Sequence, residues 1–159
     1  MAVMREEHCC SVTLIVLGDD LEPEVVTSTL GWSPDQSWRR GEQKRFTRPD
    51  GTVRVFDSVH DWGGWKRFTA KDERGRSLQE QVAAWLERLR VKMEELRSLH
   101  DRGWQLELDC FAATSECLGL SVAVLGELAG LGLGLVLTFS AGGTAGNSEP
   151  NDIPDPAGI

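Results

Sequence analysis

The chain predicts an α+β fold, a two-layer sandwich in which a mainly antiparallel sheet carries one long and two short helices on one face. Three observations carry that expectation: a short buried-strand run at residues 11–17, a hairpin signature around residue 50, and a long amphipathic stretch that leads into an alternating strand. The expected organisation is a lead-in over residues 1–10, a single domain over 11–140, and an acidic, disordered tail over 141–159.

Ser11 to Leu17 is rich in Val, Ile, Leu and Thr, is too short for a helix, and is followed by Gly18-Asp19-Asp20, so it reads as a buried central strand. Glu22-Pro23-Glu24 then opens a helix. Proline at the first helical position loses no hydrogen bond, acids favour the N-terminus, and Gly31 ends the helix after Leu30. In Arg48-Pro49-Asp50-Gly51-Thr52, Pro presets φ and Gly accepts a left-handed backbone. Lys44–Thr47 and Val53–Phe56 should therefore pair as a hairpin. Gly63-Gly64 introduces a further strand, Trp65 to Thr69.

One long helix is expected from Ser77 to about Asp101. Ser77 and Glu80 form a capping box, and Leu78, Val82, Trp85, Leu89, Met93, Leu96 and Leu99 fall on one stripe. Glu80, Glu87, Glu94 and Glu95, interspersed with Arg88, Arg90, Lys92 and Arg97, read as a solvated face of i,i+4 pairs. Gly103 ends the helix. Trp104, Leu106, Leu108 and Cys110 then alternate with polar residues in the period of a half-buried strand. A strand at Leu120–Val122, a short helix to Gly130 and a strand at Leu133–Phe139 complete the ordered part. After Ser140 the composition is Gly, Pro, Asn, Asp and Ser without periodicity.

In order and spacing, residues 18–42, from Gly-Asp-Asp-Leu-Glu-Pro-Glu to Trp-Arg-Arg-Gly-Glu, resemble the opening of the bacterial domain of unknown function 4279 family. The resemblance extends over roughly residues 11–140 through Gly63-Gly64-Trp65, the long helix and the closing strand, helix and strand. An extended hairpin over 43–62 and a Gly-rich final helix depart from it. It implies a bacterial family member without an assigned activity, and it supplies no partner.

The 159 residues suit one domain with a core of its own. A net charge of −8, from 25 acids against 17 bases, argues against nucleic acid as a partner. Leu118–Leu137 is almost wholly apolar, but its glycines, the mid-segment Glu127 and the absence of basic flanks argue against a membrane span. Met1–Glu7 is charged and followed by only a short apolar run, so no secretory signal is expected and a cytoplasmic location fits best. Cys9, Cys10, Cys110 and Cys117 form no metal-ligand spacing and read as reduced thiols; His8-Cys9-Cys10 is too compressed to close a tetrahedral site. No cofactor or metal is expected.

Trp38-Arg39-Arg40-Gly41 is the strongest functional candidate, because a guanidinium fork suits carboxylate or phosphate and Trp can stack on a ring or cation. Lys44, Arg45, Arg48 and Arg54 extend it into a basic band on an acidic protein. The bland alternative is a charged edge strand with Trp38 as a plug. Trp65, after Gly63-Gly64, either lines a wall opposite Trp38 or anchors the sheet. Asp19 and Asp20 stand where carboxylates often bind or catalyse, though turn formation and helix-dipole stabilisation explain them more simply. His60-Asp61 reads as a solvated loop pair, and no nucleophile, phosphate loop or acid–base pair is evident. The expected function is a non-catalytic, immunity- or adaptor-like protein-binding domain whose acidic surface meets a basic partner. The alternative is a small-molecule or anion binder, conceivably an enzyme, with a pocket lined by Trp38, Arg39, Arg40 and Trp65.

Overall fold

The opening apolar run forms the middle of the sheet. The computed structural model describes residues 10–48, 50–112 and 119–139; the lead-in up to residue 9, Pro49, Cys9, Cys117 and the 141–159 tail lie outside the described residues. In chain order the elements are β1 (Cys10–Gly18), α1 (Pro23–Leu30), β2 (Gln36–Trp38), β3 (Gln43–Thr47), β4 (Val53–Val59), β5 (Gly63–Phe68), α2 (Leu78–Arg90), α3 (Met93–Asp101), β6 (Gln105–Ala112), α4 (Val122–Gly130) and β7 (Gly134–Phe139). The main sheet has the order β2-β5-β1-β6-β7, and β3 and β4 make a separate two-stranded sheet.

All pairings within the main sheet are antiparallel except β6 with β7, which is parallel and needs the crossover that α4 provides. Alternation assigns the two faces. Val12, Leu14 and Val16 of β1, Trp65 of β5, and Leu106, Leu108 and Cys110 of β6 are buried under the helices. The intervening residues, such as Thr13, Lys66, Glu107 and Asp109, lie on the opposite face.

Local chemistry sets the helix ends. Pro23 occupies the first turn of α1, and Gly31 closes it at φ 73° with its amide donating to the Thr27 carbonyl. Ser77 and Glu80 complete the expected capping box at α2. The single long helix, however, is two. The Lys92 amide turns back to the Leu89 carbonyl at 3.0 Å, and α3 restarts at Met93. No Pro or Gly marks the break. Its effect is to direct Leu96 and Leu99 against α1 and β6 while leaving Met93, expected in the buried stripe, 44% exposed. The charged face also differs from a ladder of i,i+4 pairs: Arg88 reaches Glu73 at 2.8 Å and Arg90 reaches Glu127 of α4.

The strand expected at Leu120–Val122 is absent; Ser121 instead accepts from the Val124 amide at 3.2 Å and caps α4, which begins at Val122. Four helices therefore stand where three were expected. The hairpin forms as its turn chemistry dictates, with Gly51 at φ 87° and Asp50 accepting from both the amide and hydroxyl of Thr52.

One polar side chain sits at the centre of the helix–sheet contact. Gln81 of α2 is fully buried; its Oε1 accepts from the Val12 amide at 3.2 Å, and its Nε2 donates to the carbonyls of Cys10 at 3.1 Å and Arg76 at 2.9 Å. Gln81→Leu keeps the volume but orphans these backbone groups. Urea titration should register a loss of roughly 2–3 kcal/mol; a change within error would show that water replaces the amide.

Candidate functional site

Trp38 ends the edge strand β2 on the face opposite the helices, and its position follows from a glycine. It lies beside Gly64 in the register, and a Cβ at Gly64 would run into the indole. The indole Nε1 donates to the Trp62 carbonyl at 3.0 Å, the ring stacks on His60 with centroids 4.6 Å apart, and Lys66 Nζ stands 5.4 Å from its centre. His60 is therefore a packed residue, not a solvated loop histidine. Its pKa lies below the ordinary value of 6.5, first because burial disfavours the cation and then because Lys44 and Lys66 repel it, against the attraction of Glu42 and Asp61.

This stack pins the root of the β3–β4 hairpin. Gly41, at φ 83°, donates its amide to the His60 carbonyl at 2.8 Å, and the His60 amide donates to the Glu42 carbonyl at 2.9 Å. Beyond the root, every residue of β3 and β4 is exposed. Register and alternation place Phe46, Arg54 and Phe56 on one hairpin face and Arg45, Thr47, Val53 and Val55 on the other. Phe46, Val53, Val55, Phe56 and Val59 are 37–54% exposed, so both faces show apolar surface flanked by Lys44, Arg45, Arg48 and Arg54.

The remaining candidates separate. Arg39 NH2 reaches Glu24 Oε2 of α1 at 2.7 Å with both side chains exposed, and the Glu24 carboxyl is held below its ordinary value by its own backbone amide and then by Arg39. Arg40 is exposed in the following turn. Asp20 accepts from Trp104 Nε1 at 2.8 Å, which fixes an indole packed over Gly18, while Asp19 is exposed beside it. Trp65 is fully buried on the helix side, where its Nε1 donates to Thr27 Oγ1 at 3.1 Å. Trp38 and Trp65 thus lie on opposite faces of the sheet and do not line a common pocket.

Two clefts among the described residues lie elsewhere. One cleft of about 220 Å³ is bounded by Gln79, Val82, Gly119, Leu120 and Val124, and another of about 140 Å³ by Met93, His100 and Gly132. Both are smaller than the roughly 300–1,000 Å³ usual for small-molecule sites. Among the described residues no group of three His, Cys, Asp or Glu is placed to hold a metal. No helix among them is long and apolar enough to cross a membrane. Burial and then Asp109 push the Cys110 thiol up to about 12, which makes it a poor nucleophile at neutral pH.

The cross-strand neighbours on the face opposite the helices are not legible residue by residue. Lys66 and Glu107 flank Ile15 in register, and Phe68 and Asp109 flank Thr13. Burial, and then Asp109, raises the Glu107 carboxyl above its ordinary value, against the attraction of Lys66. The alternation of β6 already implied a polar face, but strand order was needed to bring Lys66 across from it.

The model of DUF4279, a domain of unknown function, matches residues 8–140, and the chain belongs to that family. No protein of curated function and no solved structure matches it.

The depressed His60 value has a defined sign. As pH falls below 6.5 the unfolded chain binds the proton before the folded one, so stability is complete above 6.5 and declines as pH drops through the folded pKa. Urea midpoints measured across that window should fall more steeply for the wild type than for His60→Gln. Parallel slopes would mean that the stacked imidazole titrates normally.

Proposed function

We propose that this member of the DUF4279 family is a non-catalytic protein-binding domain of the bacterial cytoplasm, immunity- or adaptor-like in kind, that docks its partner through the β3–β4 hairpin. The observation that carries this reading is the exposure of the hairpin on both faces. A two-stranded ribbon gains little stability alone, and apolar side chains on both of its sides are a cost unless another surface covers them. The Trp38–His60 stack favours the same reading, because a fixed root reduces the entropy lost when the ribbon is captured.

Charge narrows the partner. The hairpin gathers Lys44, Arg45, Arg48 and Arg54 against Asp50 and Asp57 on a chain of net charge −8, so its net positive charge suits an apolar surface with an acidic rim, whose approach the remaining surface would orient by repulsion. A basic partner on the acidic surface is the weaker form of the idea, since no comparable apolar patch accompanies the acids discussed above. The pocket alternative loses support from the separation of Trp38 and Trp65.

Affinity capture with tagged wild type and with Phe46→Ser/Val55→Thr, which alters each hairpin face once, tests the reading. The variant should stay folded, losing no more than about 0.5 kcal/mol per site, and should lose a stoichiometric partner that the wild type retains. Equal recovery by both would sink hairpin docking. Recovery of no protein by either would transfer the case to a small anion and to thermal-shift screening of anionic metabolites.

A further inference from the structure

The two edges of the main sheet are built differently. The β2 edge is only three residues long, runs directly into Arg39-Arg40, and beyond it Asp35 accepts the Phe68 amide at 2.7 Å. Short length, charge and side-chain capping are the usual devices that keep an edge from pairing. At the other edge β7 has none of them. It is six residues of Gly-Leu-Val-Leu-Thr-Phe, without charge or proline, pairs only with β6 among the described strands, and leaves Leu137 and Phe139 45% and 47% exposed.

The helix beside that strand repeats the pattern. The exposed positions of α4 include Val122, Ala123, Leu125, Gly126 and Ala129, none of which carries a hydrogen-bonding side chain; Val122 is 86% exposed. The ionisable residue of α4, Glu127, is occupied by Arg90, whose NH2 donates to it at 3.0 Å. Uncharged strand and uncharged helix face therefore meet at one end of a domain of net negative charge.

We infer that this end is a self-association surface, at which β7 pairs antiparallel with β7 of a second copy to make one continuous ten-stranded sheet. Two acidic chains repel over most orientations, and the neutral end is where like can meet like about a twofold axis at the smallest electrostatic cost. Side-chain parity fits. A twofold that keeps the helices of both copies on the same side pairs odd residues with odd. One such register sets Leu137 opposite Leu137 and Leu135 opposite Phe139, with Val136 opposite Thr138 on the other face. The chain's own continuation is a poorer cover: residues 140–149 contain no large apolar side chain, and prolines at 150, 154 and 156 interrupt any ladder.

Sedimentation equilibrium of the full chain across the micromolar range, with hydrogen exchange at β7, tests the inference. The wild type should sediment at twice its 17.6 kDa mass with protected β7 amides. Leu137→Lys, which sets two cations across the axis, and Val122→Glu, at a position already in water in the single chain, should each weaken the dimer on the order of tenfold or more. Unchanged thermal unfolding of the Val122→Glu monomer would exclude misfolding as the cause. A wild-type monomer overturns the inference, and β7 protection in that monomer would assign the cover to the chain's own tail. A dimer indifferent to both substitutions, or broken only by Phe46→Ser/Val55→Thr, overturns it equally by placing the interface elsewhere.

Discussion

The backbone of Val12 is the point on which the helix layer and the sheet depend together. Strand β5 ends at Phe68, so past that point β1 has lost its partner on one side while remaining buried. An unpaired buried amide and carbonyl there would cost as much as several good packing contacts return. One backbone amide and three side chains take over there: the Val12 carbonyl accepts from the Thr69 amide at 3.2 Å, from the Thr69 hydroxyl at 2.6 Å and from Trp85 Nε1 at 3.2 Å, and the Val12 amide donates to Gln81. Thr69 and Gln81 are the buried polar residues of the described core. Because Trp85 and Gln81 both belong to α2, satisfying one residue of β1 fixes the height and rotation of α2 over the sheet. The apolar stripe then packs in a place that hydrogen bonding has already chosen.

A second constraint, close approach of backbone and indole, fixes the opposite end. Gly18 yields room to Trp104 and Gly64 to Trp38, while a Cβ at Gly63 would stand 2.6 Å from the Leu21 carbonyl oxygen. These glycines have no left-handed backbone to explain them; they are chosen for the missing side chain. Their consequence is directional. With Trp104 held by Asp20 on one side of the strand end and Trp38 held by the Trp62 carbonyl on the other, the chain that leaves β2 emerges at a fixed angle. It carries Arg39, Arg40 and the hairpin with it.

Much of this was readable in the residues, and the misses share a cause. The capping box at Ser77, the Pro23 and Gly31 ends of α1, the hairpin turn and the alternation of β6 are local signals, and all appear where local chemistry puts them. The α2–α3 break and the start of α4 are tertiary outcomes. Nothing between Arg90 and Met93 disfavours a continuous helix, and Leu120–Val122 has strand-like residues that the Ser121 cap overrides. The Trp38-Arg39-Arg40 segment stands out in the sequence, but the setting of Trp38 depends on Gly64 and His60, which are distant from it along the chain. For Trp65 the sequence leaves open a wall opposite Trp38 or an anchor of the sheet, and register decides for the anchor by putting the two indoles on opposite faces. Gln81 could have been noticed: it stands three residues after Leu78 and four before Trp85, inside the buried stripe, where a polar side chain requires a partner.

Charge and apolar surface are partitioned across the molecule in a way that composition conceals. The −8 of the whole chain is the sum of an acidic body, a hairpin with four bases against two acids and a nearly neutral α4–β7 end. The hairpin contributes exposed Phe and Val without contributing to the core, and β7 contributes a bare edge without the charges that guard β2. Both features oppose the stability and solubility of a solitary chain, and neither is demanded by the packing of the helices on the sheet. The polar groups at the centre of the domain are thus satisfied within the chain, and the exposed apolar surface lies at its periphery, on the hairpin and along the α4–β7 end.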